Sequence, residues 1–208
     1  MIDKICEILT NRIKQEMPEI DEERAEIIDY GIHIIVGEIP KTFLFLIAAY
    51  LLGILKLFLI GFLVMMPYRV VSGGFHLKTH IGCILGTMAF YFGNVYASQY
   101  LIFENSIVKY GIILGAWIFG MIMVKLYAPA DTENVPIISK KERKKKKILS
   151  YVALTLSIIA AIVIKDAVIS NLIVYGSILQ SISISRLAYK LTNNKYGYEV
   201  YQTSTTNA

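Results

Sequence analysis

Residues 81–103, with the sequence IGCILGTMAFYFGNVYASQYLIF, decide the fold class because they contain no Asp, Glu, Lys or Arg. Residues 148–164 and 167–185 also lack these four residue types. Uncharged apolar runs of about 18 residues or more are long enough to cross the hydrocarbon core of a membrane as helices. The three runs therefore predict an all-α, polytopic integral membrane helical bundle.

The composition of the chain disfavours two other classes of protein. Apolar residues make up 55% of its 208 residues, and its mean hydropathy is +0.55, which disfavours an ordinary soluble domain. The segment 140–147, KKERKKKK, holds seven basic residues and one acidic residue, whereas the formal net charge of the whole chain is +5. Because this segment has a net charge of +6 and the rest of the chain sums to −1, we expect no nucleic-acid partner.

The positions of the lysines and arginines predict how the chain crosses the membrane. Cytoplasmic loops of membrane proteins carry an excess of Lys and Arg, which places residues 140–147 inside. Two predicted spans separate that segment from residues 67–80, so this earlier segment is predicted to be cytoplasmic as well. The basic residues of the N-terminal arm also belong inside. An even number of crossings is therefore expected between residues 27 and 66.

The stretch 27–66 is open to two interpretations. Residues 42–66 could form one span, or the chain could cross twice and turn near Gly53. The second interpretation gives the even number, although it puts charged residues such as Glu38 in or beside the first span, where they should face the bundle interior. We therefore predict about six spans, with both termini cytoplasmic. The spans are 28–48, 50–66, 81–101, 106–126, 148–164 and 167–187.

The other segments complete a single membrane-embedded domain, residues 1–195. Residues 1–18 predict an amphipathic helix, because their apolar side chains recur at spacings of three and four. Residues 127–147 predict a basic cytoplasmic loop, and the polar residues 196–208 predict a disordered tail.

Residues 67–86, PYRVVSGGFHLKTHIGCILG, hold the densest group of reactive side chains. A cysteine beside a histidine can act as a nucleophile with its base, and a helix N-terminus favours the thiolate form. Cys83 lies near the start of an uncharged run, so it is expected at the beginning of a helix at the cytoplasmic face. The alternative is that Cys83 is a small buried side chain without chemistry.

Two histidines could serve as the base. On one continuous helix, His76 would lie about 10 Å from Cys83 along the axis, and His80 would be closer. His76 can reach Cys83 only if residues 72–79 form a non-helical loop. The pair Gly73-Gly74, which lies just before His76, favours such a loop. His76, His80 and Cys83 also have a spacing that resembles a set of zinc ligands, but no fourth protein ligand is evident. We predict neither a metal nor a cofactor.

A second cluster, YAPADTENVPII at residues 127–138, comes directly before the basic segment. Its prolines stop a helix, and its Asp and Thr favour turns or caps. The lysines that follow satisfy the positive-inside rule, and they could also dock an acidic peptide or an anionic lipid. These lysines are Lys144, Lys145, Lys146 and Lys147.

Together the two clusters resemble the accessory gene regulator protein B (AgrB) family. The run RVVSGGFHLKTHIGC, followed one helix pair later by YAPADTENVPI and a Lys-rich loop, carries a resemblance that covers roughly residues 1–195. The resemblance implies that His76 and Cys83 are the catalytic pair, whereas His80 is not part of the family motif.

Further properties are implied by the same resemblance. Arg69, Gly73 and Gly74 would support the site. The protein would be a homodimeric cysteine endopeptidase, a thiol protease of the bacterial cell membrane. It would cleave an AgrD-type quorum-sensing propeptide on its C-terminal side through a thioester on Cys83, and would promote thiolactone formation in the autoinducing peptide. Membrane lipids would be its other partners.

Two hypotheses of another class remain open at this point. A transporter could line its path with intramembrane polar residues, and a non-catalytic membrane interaction protein would need only the basic segment. Neither explains why Arg69, the Gly-Gly pair, His76 and Cys83 occur together beside the cytoplasmic face.

Overall fold

The computed structural model describes residues 2–17, 22–77, 79–103, 105–133 and 136–206. In these residues the secondary structure is helical, apart from isolated β-bridge positions at Gly73, Ala130 and Thr132, which confirms the all-α prediction. The chain divides into two compact units, Met1–Gly53 and Ile54–Ala208. The helices are α1 (Ile2–Glu16), α2 (Glu22–Leu51), α3 (Leu55–Ser72), α4 (His80–Tyr100), α5 (Ser106–Tyr127), α6 (Lys140–Val163), α7 (Ala167–Ser183), α8 (Arg186–Leu191) and α9 (Gly197–Thr206).

The first unit consists of α1 and α2, which pack against each other. Helix α1 shows that the predicted N-terminal segment is helical from Ile2 to Glu16. Cys6 and Thr10 are buried one turn apart on it. The Thr10 hydroxyl donates a hydrogen bond of 2.6 Å to Oδ1 of Asp29. Gly53 ends the unit with a positive φ of 70°, at the position where a turn was predicted.

The second unit is organised around α7, which contacts α3, α4, α5 and α6. Its apolar residues Leu172, Ile173 and Val174 are buried. Buried polar side chains need hydrogen-bond partners. Several polar side chains near the C-terminal end of α7 bond to residues of α3 and of the loop that follows α3. The buried polar residues of this half of α7 are Ser177, Gln180, Ser181 and Ser183.

Among the described residues, four helices are long and apolar enough to cross a membrane. They are Leu55–Ser72, Ile81–Tyr100, Ser106–Tyr127 and Lys140–Val163. Large apolar side chains such as Leu63, Leu114 and Leu156 are exposed on them, and an exposed apolar surface of this extent is expected where a protein faces lipid. The protein is therefore a helical membrane protein.

These four helices overlap the predicted spans 50–66, 81–101, 106–126 and 148–164, but the first lies five to six residues later than predicted and the last begins eight residues earlier. The predicted span 167–187 corresponds to α7, which is apolar but ends earlier, at Ser183. The predicted span 28–48 falls within α2, where several side chains lie outside the described part of the structure, and it stays a prediction.

The two predicted loops are shorter than expected because helices extend into them. Helix α3 continues through Pro67 to its end, so the first loop starts at residue 73 and not at 67. Helix α6 begins at Lys140, so the basic segment is helical. Ser139 caps it by accepting a hydrogen bond of 3.4 Å from the backbone N–H of Glu142, and a serine followed three residues later by glutamate is a helix-start signal.

The prediction of a disordered tail at 196–208 is wrong for most of that segment, because α9 runs from Gly197 to Thr206. Contacts with the rest of the second unit stabilise its first turns. Tyr196 stacks on Tyr189 with ring centroids 4.2 Å apart, and Glu199 pairs with Arg186 at 2.7 Å. A short polar helix of this kind depends on tertiary contacts, which the composition of the tail did not reveal.

Candidate active site

Residues from Gly73 to Leu77 form a non-helical loop that follows α3. Gly73 and Gly74 have φ values of 75° and 137°, which glycine adopts far more readily than other residues. A Cβ atom at Gly73 would collide with the backbone oxygen of Ala130, and one at Gly74 would collide with the guanidinium of Arg69. The Gly-Gly pair is thus needed both for the backbone conformation and for space.

Helix α4 begins just after the loop and carries Cys83 in its first turn. Thr79 caps the helix, since its hydroxyl oxygen accepts a hydrogen bond of 3.0 Å from the N–H of Gly82. The N–H of Cys83 donates to the carbonyl of Thr79 at 2.8 Å. The Cys83 side chain is half-buried, whereas Cys6 lies buried in the first unit. The first turn of a helix is a favourable place for an anion such as a thiolate.

The chain does not continue as one helix from His76 to Cys83. Leu77 folds back over the first two turns of α4, where a Cβ atom at Gly86 would lie 2.6 Å from its Cδ1. The axial separation calculated for a continuous helix therefore does not apply, and the non-helical loop that His76 needs is present. The His76 side chain is exposed. His80 is the first residue of α4, and its side chain lies outside the described part of the structure, so the zinc alternative stays untested.

The Gly-Gly pair is bonded to two distant segments. The N–H of Gly74 donates to the carbonyl of Ala130 at 2.9 Å, which forms a bridge to the loop after α5. The carbonyl of Gly73 accepts a hydrogen bond of 2.8 Å from Nε2 of Gln180 in α7. The same Nε2 lies 2.9 Å from the hydroxyl of Ser72. The start of the loop is fixed by these contacts.

Arg69 connects α3, α7 and the loop. Its Nη2 donates to the carbonyl of Phe75 at 2.8 Å, and its Nη1 donates to the hydroxyl of Ser183 at 2.9 Å. The N–H of Phe75 in turn donates to the carbonyl of Ser183 at 3.4 Å.

The second sequence cluster packs beside the loop through Ala130 and Asp131. The Asp131 side chain has no exposed surface, and its Oδ2 pairs with Nη1 of Arg143 at 2.9 Å. The Tyr189 hydroxyl lies 2.9 Å from the carbonyl of Ala130 and 3.1 Å from that of Asp131. Burial raises the pKa of Tyr189 above its usual range, so the hydroxyl stays protonated and can donate to these oxygens.

The four lysines predicted to dock a ligand fall into two groups. Lys144 and Lys145 are exposed. Lys146 pairs with Glu142 at 3.2 Å, and Nζ of Lys147 donates to the carbonyl of Lys125 at 2.6 Å. The first two lysines therefore present their charges to solvent, whereas the other two make contacts within the protein.

A cleft of about 750 Å³ adjoins the loop. Arg186, Lys190 and Lys195 line it with positive charge, together with one acidic residue. Asn194 is also part of the lining, and its Nδ2 donates to the carbonyl of His76 at 2.7 Å. The cleft thus begins next to the residue that was predicted to be the base.

The family model described as Accessory gene regulator B matches residues 6–184, which include the loop, Cys83 and most of the second unit. The chain belongs to the AgrB family. Membership gives the protein a role in the accessory gene regulator system, in line with the expectation from the two sequence clusters.

Proteins from several bacteria that are named AgrB-like are similar to this family member. One from Listeria innocua is 32% identical over 183 residues, which are 88% of this chain and 87% of that protein. One from Clostridium acetobutylicum is 26% identical over 196 residues, or 94% and 91% of the two chains. One from Clostridium perfringens is 29% identical over 164 residues, or 75% and 73%. No solved structure matches the chain.

Three residues that hold the loop were not predicted from the sequence: Gln180, Ser183 and Asn194. Gln180 and Ser183 lie in the uncharged run 167–185. Burying a glutamine in a span costs free energy unless its amide is hydrogen-bonded. Gln180 in this run could therefore have been recognised as a residue that bonds to another segment. Asn194 lies in a polar segment where no pattern set it apart.

Proposed function

We propose that this AgrB-family protein is a membrane cysteine endopeptidase that cleaves an AgrD-type quorum-sensing propeptide, with Cys83 as the nucleophile and His76 as the general base. The observation that supports this proposal best is the loop between α3 and α4. It ends the helix before His76 and starts a new one three residues before Cys83. A cysteine nucleophile needs a base within reach and surroundings that favour its thiolate.

In the proposed reaction, His76 removes the proton from Cys83, and the thiolate attacks the scissile carbonyl carbon of the propeptide. The tetrahedral intermediate collapses, and the amine of the C-terminal piece leaves with the proton from His76. A thioester between the N-terminal piece and Cys83 remains. The first N–H groups of a helix have no acceptor within it, so those of α4 that precede Gly82, whose own N–H donates to Thr79, are suited to hold the oxyanion.

The second step releases the product. A thiol from a cysteine within the bound peptide attacks the thioester, its proton passes to His76, and Cys83 leaves as a thiolate. This exchange conserves the energy of the acyl bond, so the thiolactone of the autoinducing peptide forms without ATP. Attack by water would give a linear peptide, so exclusion of water from the thioester is part of the function.

The proposal includes the setting of the enzyme. It acts as a homodimer in the bacterial cell membrane, with both termini in the cytoplasm. The orientation is supported by the positive-inside rule, because residues 140–147 hold seven of the 21 basic residues of the chain in one short segment. On that side, Lys144, Lys145, Lys146 and Lys147 would meet the propeptide or anionic lipid.

Cleavage by single variants in proteoliposomes tests the two assignments. We expect Cys83→Ala to abolish cleavage of an AgrD-type propeptide and His76→Ala to slow it by about 10²- to 10⁴-fold, the usual contribution of a general base. Cys6→Ala and His80→Ala are the matched controls and should keep most of the activity.

Two results would contradict the proposal. Full cleavage by Cys83→Ala would reject Cys83 as the nucleophile, whereas absence of cleavage by the wild type would favour a transporter or a non-catalytic interaction protein. Loss of activity in His80→Ala with retention in His76→Ala would assign the base to the first residue of α4.

A further inference from the structure

We infer that Asn194 is a positioning residue for His76, contributed from a turn near the C-terminus that lies beyond the residues 6–184 matched by the family model. Its Nδ2 donates to the carbonyl of His76 at 2.7 Å, across 118 residues of sequence. A carbonyl oxygen can only accept, so the amide nitrogen must be the atom that faces it. The inference rests on the proposed role of His76 as the base.

The Asn194 amide is itself held in place. Its backbone N–H donates to the carbonyl of Tyr189 at 2.8 Å, and its Nδ2 lies 2.9 Å from the hydroxyl of Thr192. That hydroxyl donates to the carbonyl of Ala188 at 2.8 Å. Asn193 has a positive φ of 52°, a conformation that asparagine tolerates better than most residues, and it lets the chain reverse after α8. The amide therefore reaches the loop with a defined orientation.

The bond from Asn194 complements the one from Arg69. The carbonyl of Phe75 belongs to the peptide plane that precedes the Cα atom of His76, and Arg69 holds it at 2.8 Å. The carbonyl of His76 belongs to the plane that follows, and Asn194 holds that one. Because peptide units are planar, fixing both planes sets the direction of the Cα–Cβ bond of His76.

This direction matters because the His76 side chain is exposed. An exposed ring is oriented less by packing than a buried one, so the direction of the Cα–Cβ bond limits where the imidazole can reach. A general base must lie within hydrogen-bond distance of the proton it takes. Misplacement by about 1 Å can cost on the order of a hundredfold in rate.

The test uses the full-length chain in proteoliposomes with two substitutions, Asn194→Ala and Asn194→Asp. Aspartate keeps the size and shape of asparagine but has no donor at neutral pH. The matched control is Asn171→Ala, because Nδ2 of Asn171 donates to the carbonyl of Leu101 at 3.1 Å, the same type of bond at the other end of α4. Two readouts are followed: propeptide cleavage, and the pH dependence of Cys83 alkylation by iodoacetamide in a Cys6→Ala background.

We expect both Asn194 variants to lower kcat by about ten- to a hundredfold with little change in KM. Their alkylation profiles should shift towards that of His76→Ala, and Asn171→Ala should match the wild type in both readouts. The inference is overturned if Asn194→Asp keeps the kcat and the profile of the wild type, or if Asn171→Ala loses as much as the Asn194 variants.

The same data separate this inference from the proposed function. If His76→Ala leaves both cleavage and the alkylation profile unchanged, the assignment of the base fails, and the inference fails with it. If His76→Ala changes both and Asn194→Asp changes neither, His76 is the base and only the role of Asn194 is rejected.

Discussion

Gly74 is a residue of the loop that has no room for a side chain. A Cβ atom there would collide with the guanidinium of Arg69 and lie 2.8 Å from the hydroxyl of Ser183, and the φ of 137° adds backbone strain. Gly74→Ala should therefore displace Arg69 and release the carbonyl of Phe75. We expect propeptide cleavage to fall by about tenfold or more, with the helical circular dichroism unchanged.

Gly115→Ala is the matched control for this substitution. Gly115 lies in α5, where a Cβ atom would meet nothing within 4 Å. Alanine favours a helix over glycine by about 1 kcal/mol, so this variant should keep its activity and melt at the same or a higher temperature. Equal activity of the two alanine variants would show that the contact between Gly74 and Arg69 is dispensable.

Single residues also show what the sequence could and could not reveal about the site. The family resemblance singled out Arg69, Gly73 and Gly74, and the structure brings them together in one hydrogen-bond network. Gln180, which bonds to Gly73, and Asn194, which bonds to His76, each lie more than 100 residues from their partner in the chain. Pairings over such a distance depend on how helices pack, which no local pattern encodes.

The basic segment at the start of α6 is predicted to recruit the propeptide through its exposed lysines. Lys144 and Lys145 are exposed, so they are the two lysines best placed to attract an acidic peptide. The double variant Lys144→Gln, Lys145→Gln should raise KM by about two- to tenfold, since exposed ion pairs contribute up to about 1 kcal/mol each. Its salt dependence should be flatter than that of the wild type, because screening weakens such contacts beyond about 8 Å at physiological ionic strength.

The measurement is cleavage by reconstituted protein of verified orientation, titrated with salt. Lys165→Gln is the control, because Lys165 is an exposed lysine just beyond the other end of α6. If KM and the salt slope of the double variant equal those of the wild type, the lysines serve as a topology signal and do not recruit the peptide.

Helices differed in how well their limits could be predicted. The start of α6 is indicated in the sequence by Ser139 and Glu142, because their spacing is that of a capping box. Helix α9 could not be predicted from the sequence, because its polar composition suggests disorder and the contacts that stabilise it are tertiary. Arg143, for example, lies over the ring of Tyr198 at 4.3 Å, and no spacing in the sequence indicates that contact.

At the scale of the whole molecule, hydropathy predicted most of the architecture, because transfer of apolar side chains into lipid acts on each segment separately. It did not predict which helix is central. Helix α7 has 17 residues and contacts five other helices of its unit, α3, α4, α5, α6 and α8. Gln180 and Ser183 on this helix bond to the loop and to Arg69, so the central helix also supports the candidate site.

The covalent intermediate offers the most direct test of the central claim, which is that Cys83 is the nucleophile. Reconstituted protein is mixed with an AgrD-type propeptide, quenched in acid to preserve thioesters, and analysed by peptide mass spectrometry. The account predicts that the N-terminal piece of the propeptide is attached to Cys83, that the adduct is released by hydroxylamine, and that its formation is slowed in His76→Ala. An adduct on Cys6, or continued cleavage by Cys83→Ala without any adduct, would contradict it.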